Sequence, residues 1–417
     1  MEEEKKKTGR MGTTRREFLK GSAALAATTA LSGPFFLAHG AQQEIRVGMT
    51  LSYSGVFGMI GKRVENGVRL AFALSQYKDQ VKFFTEDTQV KPNVAIEKAQ
   101  KLFEKEKIHL LVGPIAGHES LAVSEVLRPQ KRLMLLAYGA NIKLCGERCS
   151  RYTFLCGHTP WNQSAPAVDW FLKALGKKVY LIGADYSTGH EVVKFFQEPF
   201  VKKGGQVVGQ FFSPLGITEY APYLGKVKSA SPKPDGLFGF LGGNDLINFV
   251  KQYDEFGLHK ENIPIIVGLG GFSPALLPSY GDTALGHYHV FHYSPWLDNQ
   301  ENEIFKTAFA KMFPGEFGDE SSLLGFEVGT MMVKGLDAAQ GDPRETEKII
   351  NGIEKVDYMS PRGHIKMDPN HVANVPIYIF QVQKKDGKLV LQMAANTGNY
   401  GTPFGPDGPG GECNLGK

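Results

Sequence analysis

From Glu44 onward the chain repeats one rhythm: a short apolar run, a glycine-bearing loop, then a stretch whose apolar residues recur every three or four positions. "EIRVGMTL" opens it, and in the segment that follows Val64, Val68, Ala71 and Phe72 fall on one helical face. "VKFFT", a helix opening near Pro92-Asn93, "IHLLVG", a helix over about 118–127 and "LMLLA" continue the pattern. Strands this short and this continuously apolar are buried on both faces, which calls for parallel pairing with helices on each side of the sheet. After "RYTFLCGHTPWNQ" the rhythm restarts with "KVYLIGA", a helix over about 190–202, "QVVGQFF", a helix around 222–228, "GLFGF", a helix over about 245–256 and "IPIIVGL". Two such series in tandem predict an α/β protein of two lobes. A third section adds helices in "NEIFKTAFAKMF" and "SSLLGFEVGTMMVKGLDAA", then strands in "RGHIKM" and "VPIYIFQVQ"; the Gly/Pro-rich end "GNYGTPFGPDGPGGECNLGK" reads as irregular.

The front of the chain obeys a different rule. "TTRREFLKGSAALAATTALSG", residues 13–33, sets basic residues ahead of a small and apolar run, the order of a secretory leader. Arg15 and Arg16, followed by Phe18-Leu19-Lys20, resemble the twin-arginine export signal, which the Tat export machinery reads as an address. The run is too short and too rich in Ala and Thr to span a bilayer, and Pro34 interrupts it. Removal of residues 1–41 is expected, with cleavage near Ala38-His39-Gly40 and a mature start between Ala41 and Glu44. Because the first 20 residues carry seven Lys/Arg against four Asp/Glu, the formal net charge of +4 falls to about +1 once they are gone. A nearly neutral body lacks the basic stripe that nucleic acid requires. The remaining ~375 residues suffice for two domains. Cys145, Cys149, Cys156 and Cys413 allow up to two disulfides in an exported chain, with three pairings open, and contain no C-x-x-C for zinc.

In an open parallel sheet, ligands bind at the carboxyl ends of the strands, so the loops there are the candidate site. The first, "SYSGVFGMIGKR", fails as a nucleotide P-loop because Val56 and Arg63 replace its Gly and Ser/Thr; Tyr53, Ser54, Phe57 and Ile60 instead suit a small amphipathic ligand. In "VGPIAGHESLA", the turn Ala116, Gly117 and His118 either seats a carboxylate on backbone amides or simply begins a helix. "LLAYGANIKL" contributes Ala137, Tyr138, Gly139, Ala140 and Asn141, the glycine permitting close approach to backbone. The second series offers Asp185, Tyr186 and Thr188 in "GADYSTGHE", Leu241, Gly242 and Asp245 in "FLGGND", and Gly268, Gly270 and Ser273 in "VGLGGFS". The last breaks the dinucleotide fingerprint at Ser273. Trp161 is either a core residue at the crossover or an aromatic wall of the cleft. His287, His289 and His292 read as packed strand histidines before metal ligands. No nucleophile elbow, Cys-His pairing or cofactor fingerprint occurs, and none is expected to be needed.

In this order, behind an export signal, "VGMTLSYSGVFGMIGKRVENGVRLA", "LVGPIAGHESLA", "LLAYGAN", "YTFLCGHTPWNQ", "IGADYSTGHE" and "FVKKGGQVVGQFF" resemble the type I periplasmic solute-binding proteins, nearest the leucine/isoleucine/valine-binding branch of ABC importers. That resemblance implies two Rossmann-like lobes with parallel-rich sheets joined by a three-strand hinge: 42–160 and 287–382 for the first lobe, 161–286 for the second, with 383–417 as its return and tail. It implies a non-enzymatic periplasmic receptor that closes on an amino acid or other organic carboxylate and hands it to an ABC permease. A ligand sensor on the same fold is the alternative, and an exported α/β enzyme a third. Carried over by position, Tyr53 to Ile60, Ala116 to His118 and Ala137 to Asn141 are the first lobe's ligand contacts; Tyr186, Thr188, Leu241, Gly242 and Gly270 are the second's. Amino-acid binders of the family also set an acidic side chain of the second lobe against the ligand's ammonium. "GLGGF" has none, so either Asp185 or Asp245 substitutes or the ligand lacks the amine.

Overall fold

The first sheet is entirely parallel, in the order β2-β1-β3-β4-β5. In the computed structural model, which describes residues 43–54, 57–138, 141–402, 413 and 415, it is built from β1 (Ile45–Leu51), α1 (Gly58–Ala73), β2 (Val81–Asp87), α2 (Pro92–Glu104), β3 (Leu110–Val112), α3 (Gly117–Leu127), β4 (Met134–Leu136) and β5 (Thr153–Leu155). Arg15, Arg16 and the cleavage region lie outside the described residues, as do Gly139 and Ala140. Ile45, Val47, Met49 and Leu51 are fully buried, as the unbroken apolar run requires of a central strand. β5 falls inside "RYTFLCGHTPWNQ", which the rhythm passes over, because three residues are too few to show a period.

Among the described residues the second sheet has nine strands and runs β7-β6-β8-β9-β10-β13-β12-β11, with β14 also on β13. Its parallel part comprises α4 (Ala167–Ala174), β6 (Lys178–Ala184), α5 (Ser187–Lys202), β7 (Gln206–Ser213), α6 (Ala221–Lys228), β8 (Gly236–Phe240), α7 (Asn244–Glu255), β9 (Ile265–Val267), α8 (Leu277–Tyr280) and β10 (Tyr288–Phe291). β10 pairs with β9 here, although the sequence places residues from 287 onward in the return to the first lobe. In both sheets the strand order reverses beside the first strand, between β1 and β3 and between β6 and β8. Loops on either side of such a reversal leave in opposite directions and open a crevice at the carboxyl ends.

The chain then returns through α9 (Gln300–Met312), α10 (Glu320–Ala338), α11 (Thr346–Glu354), β11 (Asp357–Ser360), β12 (Gly363–Met367), β13 (Ala373–Lys385) and β14 (Lys388–Tyr400). Helix α10 lies directly on α1: a Cβ on Gly67 would sit 2.0 Å from the Ser322 carbonyl oxygen, and one on Gly325 2.0 Å from that of Val64. Only glycines allow the two backbones to come this close. β13 pairs with β12 at its start and with β10 further on, so one strand passes from beside β5, bridged through Val372 and Leu155, into the second sheet. β14 corrects the sequence reading, since Gly398–Tyr400 are strand, held by ladder bonds to β13 that no local pattern announces. One disulfide joins Cys149 to Cys413 with Cα atoms 5.5 Å apart; Cys145 and Cys156 are buried thiols. Among the described residues no helix is long and apolar enough to cross a membrane.

Candidate ligand site

The loops singled out in the sequence all sit at strand carboxyl ends, and the structure fixes how each is held. After β1, the Tyr53 amide donates to Asp87 Oδ1 (2.9 Å) and the Ser54 hydroxyl to Oδ2 (2.6 Å). Burial raises the Asp87 pKa, but these bonds and one from the Gln89 amide outweigh it and hold the carboxyl below its ordinary value. The Ser54 proton is thereby committed, leaving its oxygen to accept. Burial first, and the Glu65 carboxylate second, push the Tyr53 phenol up; its ring is half-buried against the core with Phe57 and Ile60.

After β3, the Ala116 amide is taken by Glu119 Oε2 (3.2 Å), so of the turn expected to seat an anion the Gly117 and His118 amides are left at the start of α3. His118 is exposed, with Nε2 3.3 Å from the Val90 carbonyl oxygen. Gly117 lies against Asn141, which brings the turns after β3 and β4 together; Asn141 Oδ1 caps the next turn through the Lys143 amide (3.0 Å). Ala137 is buried and Tyr138 half-buried.

On the second sheet, Asp185 is exposed and paired with His190 Nε2 (2.8 Å), while Tyr186 is half-buried beside Phe240 and leads with Thr188 into α5. Leu241 is buried, Gly242 half-buried and Gly270 exposed. Asp245 accepts from the Gly216 amide (3.0 Å), so both acids proposed as ammonium partners already have partners of their own. Trp161, half-buried, meets the Tyr400 ring edge-on at 5.8 Å.

The two sets of loops meet at the start of α10. Tyr138, after β4, shares a hydrogen bond with Ser321 (3.1 Å), and Ser273, after β9, donates to Glu320 Oε1 (2.8 Å). Glu320 and Ser321 were missed in the sequence. The pattern Asp319-x-x-Ser322 does mark a helix start, which the Asp319 and Ser322 side chains cap reciprocally, but it says nothing about which loops that start faces.

Away from the rim, a second polar group fastens the crossovers. The fully buried Arg362 pairs with Glu327 and donates to the Cys156 carbonyl (2.9 Å), Ser360 bonds Glu327, and Tyr378 donates to the Arg362 carbonyl (2.7 Å). Against it, His158 stacks on His292 (5.1 Å), and His289 stacks on Phe291 (4.6 Å) and bonds the Leu269 carbonyl. His287 accepts from the Ile265 amide (3.3 Å). These histidines pack within the protein interior.

Comparison with known proteins identifies the family of the chain. Residues 44–388 match the periplasmic binding protein family model, and residues 12–32 match the twin-arginine translocation pathway signal sequence. A Leu/Ile/Val-binding protein homolog of Brucella melitensis is 27% identical over 351 residues, covering 82% of this chain and 88% of its own. An ABC transporter substrate-binding protein from Sphaerobacter thermophilus superposes with a TM-score of 0.81 at 27% identity, over 85% of this chain and 98% of that one. An R. palustris solute-binding protein in complex with 4-hydroxybenzoate gives 0.78 at 25% identity, over 87% and 98%. The chain belongs to the periplasmic binding protein family, as an exported, periplasmic solute-binding protein of the ABC-transporter kind.

Proposed function

We propose that the two sheets are the lobes of a clamp that closes on a small organic carboxylate, without altering it, and delivers it to an ABC permease after export through the Tat machinery. The observation that carries this reading is the convergence of both sets of strand-end loops on the start of α10 through Tyr138–Ser321 and Ser273–Glu320. In this reading the first lobe comprises the five-stranded sheet with α10, and the second the remaining sheet. The links at Cys156–Trp161, Phe291–Asn299 and the first half of β13 form the hinge.

The contacts assigned are Tyr53, Ser54, Phe57, Ile60, Gly117, His118, Ala137, Tyr138 and Asn141 from one side, and Tyr186, Thr188, Leu241, Gly242 and Gly270 from the other. Trp161 forms a side wall. Amides at the start of α3 hold the carboxylate, since those donors lack intrahelical partners and the helix dipole favours an anion. Tyr138 and Tyr186 line the apolar part, and closure expels water, so few polar groups suffice to orient the guest. The bound 4-hydroxybenzoate of the R. palustris relative and the branched-chain name of the Brucella one set the range of candidates. The test is a thermal-shift screen of aromatic acids, aliphatic acids and amino acids. A ligand at 100 times its Kd stabilises the native state by about 2.7 kcal/mol, a readily measured rise in Tm. No rise with any small carboxylate contradicts the proposal.

A further inference from the structure

Glu320 is 7% exposed, and the two oxygens of its carboxyl are treated differently. Oε1 accepts from Ser273 Oγ at 2.8 Å, while Oε2 is enclosed and has no hydrogen-bond partner among the described residues. A carboxylate is an acceptor with several lone-pair positions, and one left buried without a donor is costly to the native state. The neighbouring Arg63 charge relieves it only in part. Arg63 is paired with Asp319, and Asp319 Oδ1 also accepts from the Ser322 amide (3.0 Å). Burial first, and the Asp319 charge second, push the Glu320 carboxyl up to about 7. A buried acceptor without a donor calls for one from elsewhere, and this one lies where loops from both sheets meet.

We infer that Glu320 reads the ligand: Oε2 accepts a hydrogen bond from a hydroxyl or ammonium group that the bound organic acid carries besides its carboxylate. The inference rests on the clamp reading above. It also supplies, from α10, the acidic group that the loop "GLGGF" lacks and that Asp185 and Asp245, bound to His190 and the Gly216 amide, do not offer. Ser273 fixes the carboxyl from the second sheet, so the acceptor is in place only when the two sheets are together.

The experiment is calorimetric titration with two pairs of acids that each differ in one donor group: benzoate with 4-hydroxybenzoate, and 4-methylpentanoate with leucine. The wild type is expected to bind the donor-bearing member of at least one pair at least tenfold more tightly, the scale of one hydrogen bond to a charged group. In Glu320→Met, of similar shape but without an acceptor, that ratio is expected to fall to about twofold through weaker binding of the donor-bearing member alone. Glu320→Gln keeps an acceptor without the charge, retains preference for a hydroxyl and loses preference for an ammonium; it also carries the test should the Met variant not fold. Tight binding with an unchanged ratio, or an equal loss for both members, overturns the role of Glu320 and leaves the clamp standing. Wild-type protein that binds neither pair overturns the clamp reading and the role of Glu320 with it.

Discussion

Two polar clusters join the halves of this molecule, and they are finished differently. At the crossovers opposite charges meet: Arg362 pairs with Glu327 and donates to the Cys156 carbonyl, and Ser360 bonds Glu327, while Arg362 Nε and Nη1 make no hydrogen bond among the described residues. At the rim, Glu320 has one oxygen bonded by Ser273 and one with no hydrogen-bond partner among the described residues. A buried acid paired with a cation of its own holds a structure together, because removing either partner strands the other. A buried acid whose nearest cation, Arg63, is engaged with Asp319 leaves a place for a partner from outside the chain. The buried Arg362–Glu327 cluster is therefore the place to look for stability, and the rim the place to look for recognition.

The contrast breaks most visibly at Arg362. Arg362→Met removes one partner of a buried pair and strands the Glu327 charge, so unfolding free energy is expected to drop by about 3–5 kcal/mol in denaturant titration. Adding Glu327→Leu to the same protein is expected to recover most of that loss, because no uncompensated charge then remains. A loss below about 1 kcal/mol in the single variant contradicts the structural role given to the pair.

Acid probes the same region through its histidines. Burial lowers the His158 pKa to about 3 and the His289 pKa to about 4, and drives that of His292 well below the ordinary value, with the Arg362 charge adding to the effect on His158 and His292. In the unfolded chain the same imidazoles take up protons near pH 6.5. Their contribution is thus full above that pH and is lost as pH falls from 6.5 toward 4 and 3. Thermal unfolding followed across this window is expected to show a falling Tm, less steep in His292→Leu; equal slopes contradict the assignment.

Helix docking gives an intermediate effect. Gly325→Ala drives a methyl against the Val64 carbonyl and is expected to cost about 1–3 kcal/mol by pushing α10 off α1, seen as a lower denaturation midpoint. Since the start of α10 carries Glu320, ligand affinity falls with it if the clamp reading holds. The smallest change in stability belongs to the rim. Ser273→Ala removes one hydrogen bond to a carboxyl that already lacks another, and is expected to shift unfolding by only about 1 kcal/mol while altering ligand affinity more than any hinge variant that folds. A Ser273→Ala protein as destabilised as Arg362→Met erases the distinction between the two clusters.

Much of the framework was legible because it is written in local pattern. The helices read from periodicity and Pro92 start within three residues of those positions, and most buried strands coincide with the apolar runs; α4, α8, α11 and β5, all short, carry no period long enough to show. The loops at strand ends were identifiable for the same reason, since topology, not side-chain detail, decides where they lie. What the pattern could not give is pairing at a distance. β14 depends on the edge of β13 for its hydrogen bonds, and β10 joins the second sheet through parallel pairing with β9, which no local pattern marks. Glu320 was passed over because a capped helix start looks alike whether it faces solvent or two converging loops. The Arg362–Glu327 pair, 35 positions apart in sequence, has no signature short of the fold itself.

The clamp is tested most directly by a crystal structure with a ligand drawn from the thermal-shift screen. The account predicts a single guest touching the turn at Gly117 and the ring of Tyr138 on one side and Tyr186 on the other, with a donor atom within 3.2 Å of Glu320 Oε2. A guest held by one sheet alone, or lodged in the outer groove between α5 and β7 near His190 and Phe212, contradicts it.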